Sequence, residues 1–253
     1  MAITLDSMVL NATLSQQPRV TSSVQADQAT GAFDLANQRI GQQISATNVQ
    51  LSAFGQIKSS YADIQSAAHS LSAPGKSSTA EDTTKAVQAF AEAFNKATSA
   101  INTALNGDGK TAGALAGNGR ASIAGFDLKK LVISGSNQAD LKKIGVTIKQ
   151  DGTLAVDTKA LQSAIQANPQ SVQETLARIG AQAEQISSRE LAAGGNLGNA
   201  VNALSSRART LETRAAEQQK LVAGSQSTVQ QQASNLNSTN ANNIAAYLLT
   251  RSL

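Results

Sequence analysis

The chain has no cysteine and no tryptophan, one histidine, three prolines and only 3% aromatic residues. Without cysteine there can be no disulfide, no thiolate zinc site and no thiol catalysis, and the fold does not depend on the redox state of its compartment. Charge is also sparse: Asp, Glu, Lys and Arg make up 15% of 253 residues, and the net charge of +4 is scattered along the chain. The densest basic group, Arg207, Arg209 and Arg214, is interrupted by Leu211 and Glu212 and reads as a solvated helix face. With so few aromatics to stack on bases, nucleic acid is not expected as a partner. No apolar run approaches the roughly 18 residues of a membrane span, so membrane insertion is not expected. The opening Met1-Ala2-Ile3-Thr4-Leu5-Asp6 shows no basic region leading into an apolar stretch. A cytoplasmic protein, or one exported without a cleaved signal peptide, fits that start.

Catalytic constellations are missing too. His69, the only histidine, has no serine, carboxylate pair or metal partner at useful spacing, and reads as a surface helix residue. Gly107-Asp108-Gly109-Lys110-Thr111 resembles the end of a phosphate loop, but Ala104 stands where the motif needs glycine and the preceding pattern is helical, so an exposed turn is expected. Asn106, Asp108 and the nearby glycines lack the twelve-residue loop and closing glutamate of a calcium site. The expectation is no enzyme, with no catalytic residue, cofactor or metal.

What the sequence has in quantity is small and amide side chains, Ala, Ser, Gln and Asn, in helical periods suited to many weak side-by-side contacts. Met1 to about Thr30 shows no sustained period and reads as a mobile, irregular arm. Ile40, Ile44, Thr47, Leu51, Phe54, Ile57, Tyr61, Ile64, Ala68 and Leu71 are then spaced by threes and fours, one stripe of a helix roughly 50 Å long at about 1.5 Å per residue. Pro74 and Gly75 stop it. A second helix from Thr83 to about Leu105 places Val87, Phe90, Phe94, Ala97, Ile101 and Leu105 on one face. Leu131-Val132-Ile133 reads as a short buried strand.

Val146 to Val156 alternates around Asp151-Gly152, a hairpin signal that puts Val146, Ile148, Leu154 and Val156 on one side. Asp157 is a cap for a helix with Leu161 and Ile165, and Asn168-Pro169 starts another with Val172, Leu176 and Ile179 inward. Beyond Gly194-Gly195 a heptad row runs through Leu197, Val201, Leu204, Ala208, Leu211, Ala215, Gln218, Val222, Ser225, Val229, Gln232 and Leu236. Its polar members make it too weak to stand alone, so it is expected to need the N-terminal helix and neighbouring copies.

The expected fold is mainly α with a small α+β core: long N- and C-terminal helices pairing as a coiled coil, plus a β-hairpin and short helices. Four segments follow: a mobile arm over 1–30, a coiled-coil helix over 31–72, the core over 73–193 and a second coiled-coil helix over 194–253. The coiled-coil and assembly residues are Ile40, Ile44, Leu51, Phe54, Ile57, Tyr61, Ile64, Leu71, Leu197, Val201, Leu204, Leu211, Val222, Val229, Leu236, Ile244, Tyr247 and Leu248, with Leu249 extending the last strip. The core residues are Phe90, Phe94, Val146, Ile148, Leu154, Val156 and Leu161.

Three stretches, in order, carry a family resemblance. Leu51-Ser52-Ala53-Phe54-Gly55-Gln56-Ile57-Lys58-Ser59 resembles the N-terminal leg helix of the flagellar filament-capping family, hook-associated protein 2. Val87-Gln88-Ala89-Phe90-Ala91-Glu92-Ala93-Phe94-Asn95 and Gly113-Ala114-Leu115-Ala116-Gly117-Asn118 resemble its Phe-Val-x-x-Tyr-Asn segment and Gly-Pro-Leu-x-Gly-Asp turn, with Phe94, Ala114 and Asn118 as departures. Ile144-Gly145-Val146-Thr147-Ile148, Asp151-Gly152-Thr153-Leu154-Ala155-Val156-Asp157, Leu161, Asn168-Pro169 and Val172 resemble its C-terminal core. Members insert large β-rich head domains after the first helix, whereas only Ser72 to Asp82 joins the helices here, so the chain looks like a short, headless member. The resemblance implies an extracellular axial protein of the bacterial flagellum, a homo-oligomer at the filament tip that assists flagellin assembly. Its implied partners are itself, flagellin or other axial proteins, and an export chaperone at the C-terminal helix. A hook-filament junction protein or minor flagellin, and a cytoplasmic coiled-coil adaptor of flagellar export, are the alternatives.

Overall fold

The structure is a computed structural model that describes the backbone over 6–72 and 79–251, and side chains over 33–72 and 79–242. It is mainly α-helical with one two-stranded antiparallel sheet. Two compact units divide the chain: 46–208 form one, and the terminal segments 1–45 and 209–253 form the other. The division falls inside the two longest helices.

Helix α1 runs Asp6–Ser72 and α7 runs Asn196–Arg251. The irregular backbone expected over 1–30 is corrected: those residues are helical from Asp6, through Pro18 and Gly31. The absence of an apolar period there removes the signal of burial, but Ala, Gln and Leu keep their helix propensity, and a proline forfeits one amide bond without barring helix on both sides.

In the 46–208 unit, α2 (Ala80–Asn106) begins at a capping box in which Thr79 accepts from the Asp82 amide while the Asp82 side chain accepts from the Thr79 amide. Val87, Phe90, Phe94, Ala97 and Ile101 are buried along its inner stripe. Helix α3 (Gly119–Ile133) is capped by Asn118, which accepts from the amides of Arg120 and Ala121. It contains Leu131-Val132-Ile133, which the sequence suggested as a strand. Ala124, Leu128, Leu131 and Val132 share a buried helical face, and three apolar residues in a row cannot by themselves distinguish that arrangement from a strand.

The short α4 (Asn137–Lys143) is tied down by polar contacts. Asn137, 4% exposed, donates to the Leu131 carbonyl at 2.6 Å and to Gln182 Oε1 at 2.8 Å; Arg178 donates to Asn137 and to Asp140. Strands β1 (Val146–Ile148) and β2 (Leu154–Val156) pair with Val146 opposite Val156 and Ile148 opposite Leu154. The Gly152 amide donates to Lys149 O and the Lys149 amide to Thr153 O, a three-residue turn whose third residue, Gly152, takes φ of 83°. That left-handed backbone is where glycine carries no Cβ penalty. Asp157 caps α5 (Thr158–Ala167), and Asn168 with Pro169 at the first position starts α6 (Pro169–Leu191).

One continuous core joins these elements to the end of α1 and the start of α7: Phe54, Ile57, Tyr61, Ile64 and Leu71 meet Phe94, Leu161, Ile179 and Leu197, each at most 3% exposed. A Cβ on Gly180 would lie 2.7 Å from the Ala68 carbonyl oxygen, so α6 lies directly against the α1 backbone, an approach open only to glycine. Tyr61 donates to the Ala124 carbonyl at 2.6 Å, which satisfies its hydroxyl inside the core, and burial pushes its phenol well above the usual tyrosine range.

Candidate assembly surfaces

Burial along α7 follows the heptad row and then runs out. Leu197, Ala208 and Leu211 are buried and Val201 and Leu204 half-buried. Over 209–222 the covered residues are Leu211, Ala215, Gln218 and Val222. From Ser225 on, the row is exposed, with Val229 at 47% and Leu236 at 60%; off the row, Leu221 stands at 64%. Within the same unit, the α1 segment from Phe33 to Ser45 is covered at Phe33, Ala36, Asn37, Ile40 and Ile44. Phe33, Asn37, Ile40 and Ile44 repeat the four-three-four spacing of Leu211, Ala215, Gln218 and Val222. Matching threes and fours are what two helices need to seat side chains between one another.

The outer row is energetically unfinished. A fully buried Leu or Val side chain is worth about 1.5–3 kcal/mol relative to exposure; on the row Val229 and Leu236, and off it Leu221, forgo about half of that or more. Gln218, Ser225 and Gln232 between them add little apolar area, and a helix held by propensity alone is marginal in water. The chemistry open to such a surface is association.

Residues proposed from the sequence for one seam thus lie in two settings. Phe54, Ile57, Tyr61, Ile64, Leu71 and Leu197 are inside the chain's own core, Val201 and Leu204 pack at its half-buried edge, and Leu51 is half-buried. Ile40, Ile44, Leu211 and Val222 are covered in the terminal unit, while Val229 and Leu236 face solvent. Ile244, Tyr247, Leu248 and Leu249 are on α7, but their side chains lie outside the described residues. Of the core set, Phe90, Phe94, Val146, Leu154 and Leu161 are buried and Ile148 and Val156 half-buried.

Several contacts had no signal in the sequence. Asn95 on α2 grips the outer edge of β2: its Nδ2 donates to Leu154 O at 2.9 Å and its Oδ1 accepts from Leu154 N at 2.6 Å. Glu190, at the end of α6, is 1% exposed; its Oε1 accepts from Asn196 at 3.0 Å and Oε2 has no hydrogen-bond partner among the described residues. Burial raises its carboxyl above the ordinary glutamate value. Arg189 beside it bridges Asp127 at 2.6 Å. Phe126 and its neighbours Ile123 and Ile133 are exposed on α3. Only an alignment or a structure distinguishes such residues from ordinary solvent-facing ones.

His69 pairs with Glu184 at 2.8 Å in an exposed contact between α1 and α6. Asp108 turns back on its own loop, accepting from the amides of Lys110 and Thr111 and from the Thr111 hydroxyl, and these bonds, Thr111's amide first, bring its carboxyl down to about 2. Arg207, Arg209 and Arg214 are all exposed. Among the described residues no three His, Asp or Glu side chains gather as a metal site, and no helix is long and apolar enough to cross a membrane.

Residues 77–244, from just ahead of α2 to near the end of α7, match the family model of the flagellar hook-associated protein 2 C-terminus. No individual curated protein matches the sequence.

Proposed function

The chain belongs to the flagellar hook-associated protein 2 family, and on that premise we propose that it is a cap-like axial protein, a homo-oligomer at the filament tip that assists flagellin assembly. The observation that carries this is the heptad row of α7, covered as far as Val222 and open from Ser225 to Leu236 within the matched stretch. A row of that kind gains burial when further helices are laid beside it, from other copies or from filament subunits. The mirrored four-three-four spacing supports an antiparallel pairing of α1 and α7 in which Ile40 lies opposite Ala215 and Ile44 opposite Leu211. On this reading the protein is extracellular, with itself, flagellin or other axial proteins as partners and an export chaperone at the C-terminal helix. No enzymatic role is proposed.

One observation favours a second reading, a junction protein or minor flagellin: α1 ends at Ser72 and α2 begins at Ala80, which leaves no room between them for plate-forming domains. Imaging of labelled protein on flagella separates the cases. Signal confined to filament tips supports the cap-like role. Signal at the filament base or along the shaft supports the second reading, and protein retained in the cytosol supports an export adaptor and removes both.

A further inference from the structure

The outward face of α3 is apolar. Phe126 is 62% exposed, with Ile123 at 49% and Ile133 at 41%, and their spacing puts all three in one row. The other phenylalanines, Phe33, Phe54, Phe90 and Phe94, are half-buried or buried. Single exposed apolar residues are ordinary, but a row led by an aromatic is the composition of a contact surface.

Beside the row a cavity of about 130 Å³ opens between α2, α3 and the hairpin turn. Phe94, Ile101 and Leu128 give it an apolar floor, and Lys129 and Asp151 stand at its walls. Gly125 and Leu128, which flank Phe126 in sequence, both line it. At about 100° per residue, Phe126 projects from an adjacent side of α3 and does not fill the space itself. The volume suits a ring, since a cavity of roughly 150 Å³ accepts benzene.

We infer that the Phe126 ring of one copy seats in this cavity of a second copy, a knob-and-socket contact between compact units that rests on the self-assembly proposed above. Charge fits that occupant. Lys129 enters no ion pair among the described residues, and Asp151 is fixed at the wall by accepting from the Thr153 amide at 2.9 Å and hydroxyl at 2.6 Å. Each copy carries both Lys129 and Asp151 at its cavity, so two copies in reciprocal contact present opposite charges to one another. One phenylalanine and two isoleucines bury far less than the roughly 1,200–2,000 Å² of a stable interface. The contact sets the register of copies held together by their terminal helices and does not hold a dimer alone.

Because the chain has no cysteine, introduced thiols report cleanly. Full-length Lys130→Cys protein with one tag, which keeps the Phe126 ring and carries its thiol one turn along α3, is mixed with Asn102→Cys protein with another, Asn102 being an exposed residue at the cavity, and treated with a short bifunctional thiol reagent under assembling conditions. The expected result is a cross-linked dimer carrying both tags, absent when the second partner is Gln173→Cys, an exposed position on α6. Oligomers without the Lys130–Asn102 product, or with equal product at Gln173, overturn the contact and leave self-assembly standing. Cross-linking of Lys130→Cys, through a thiol-to-amine reagent, to flagellin in place of a second copy overturns it in favour of another axial protein. A chain that stays monomeric at every concentration removes the assembly reading and the contact together.

Discussion

Asn95→Ala probes how the hairpin is held. Two three-residue strands are marginal by themselves, and among the described residues the outer edge of β2 has no third strand to pair with. Asn95 substitutes for one by bonding both the amide and the carbonyl of Leu154, whose side chain is 3% exposed. Removing the amide side chain leaves a donor and an acceptor unpaired at a partly buried position. At about 1–3 kcal/mol for an unsatisfied buried group, and with some water reaching the site, the loss should be about 2–4 kcal/mol. For a chain of this size that corresponds to a melting temperature lower by roughly 5–15 °C. Urea unfolding followed by circular dichroism gives the free energy, and amide hydrogen exchange at Leu154 localises it, since that proton loses its acceptor. Asn95→Asp keeps an acceptor for the Leu154 amide but sets a carboxylate oxygen against the Leu154 carbonyl, so at neutral pH it should be at least as damaging as alanine. Unchanged unfolding of Asn95→Ala together with unchanged exchange at Leu154 would refute the clamp.

Leu161→Ala, at a residue 0% exposed beneath the hairpin, should cost about 2–5 kcal/mol in the same urea experiment; a loss under about 1 kcal/mol would mean that the core lies elsewhere. Glu190 has a folded-state pKa raised by burial, so its carboxylate destabilises the native state at neutral pH and the penalty is relieved as pH falls through that raised value. Glu190→Gln should therefore melt higher than the parent at pH 7, with the advantage gone below the ordinary value of 4.5; an advantage independent of pH would show that charge is not its cause. Cysteines at Ile40 and Ala215 should form a disulfide within one chain, while Ile40 paired with Val222 should not. The reverse preference would break the antiparallel register.

Much of the core unit was legible because its signals are local. Asp151-Gly152 specifies a positive-φ turn, Asp157 and Asn168-Pro169 specify helix starts, and the stripe from Val87 to Ile101 specifies a helix face, each within a few residues. The strand expected at Leu131-Val132-Ile133 became the end of α3 because the Asn118 cap and the face shared with Ala124 and Leu128 outweigh a three-residue run. Helix over residues 6–30 was missed for want of an apolar period, a signal that reports burial and not backbone propensity. For the surfaces, the heptad spacing of α7 was readable, but the sequence could not show that its inner half belongs to the chain's own core and that Val229 and Leu236 stay open. Asn95, Glu190 and Phe126 act through contacts or exposures set by the tertiary fold, which one sequence does not encode locally.

The claim that the terminal helices drive assembly is tested most directly by light scattering on the intact chain and on one lacking Ser225 to Leu253, a deletion that removes the open part of the row. The compact 46–208 unit does not include the deleted segment, so the shortened protein should keep its helical circular dichroism and cooperative melt. It should scatter as a monomer at concentrations where the intact chain forms oligomers. Oligomers of equal size from both proteins would contradict the account and place assembly in the compact unit.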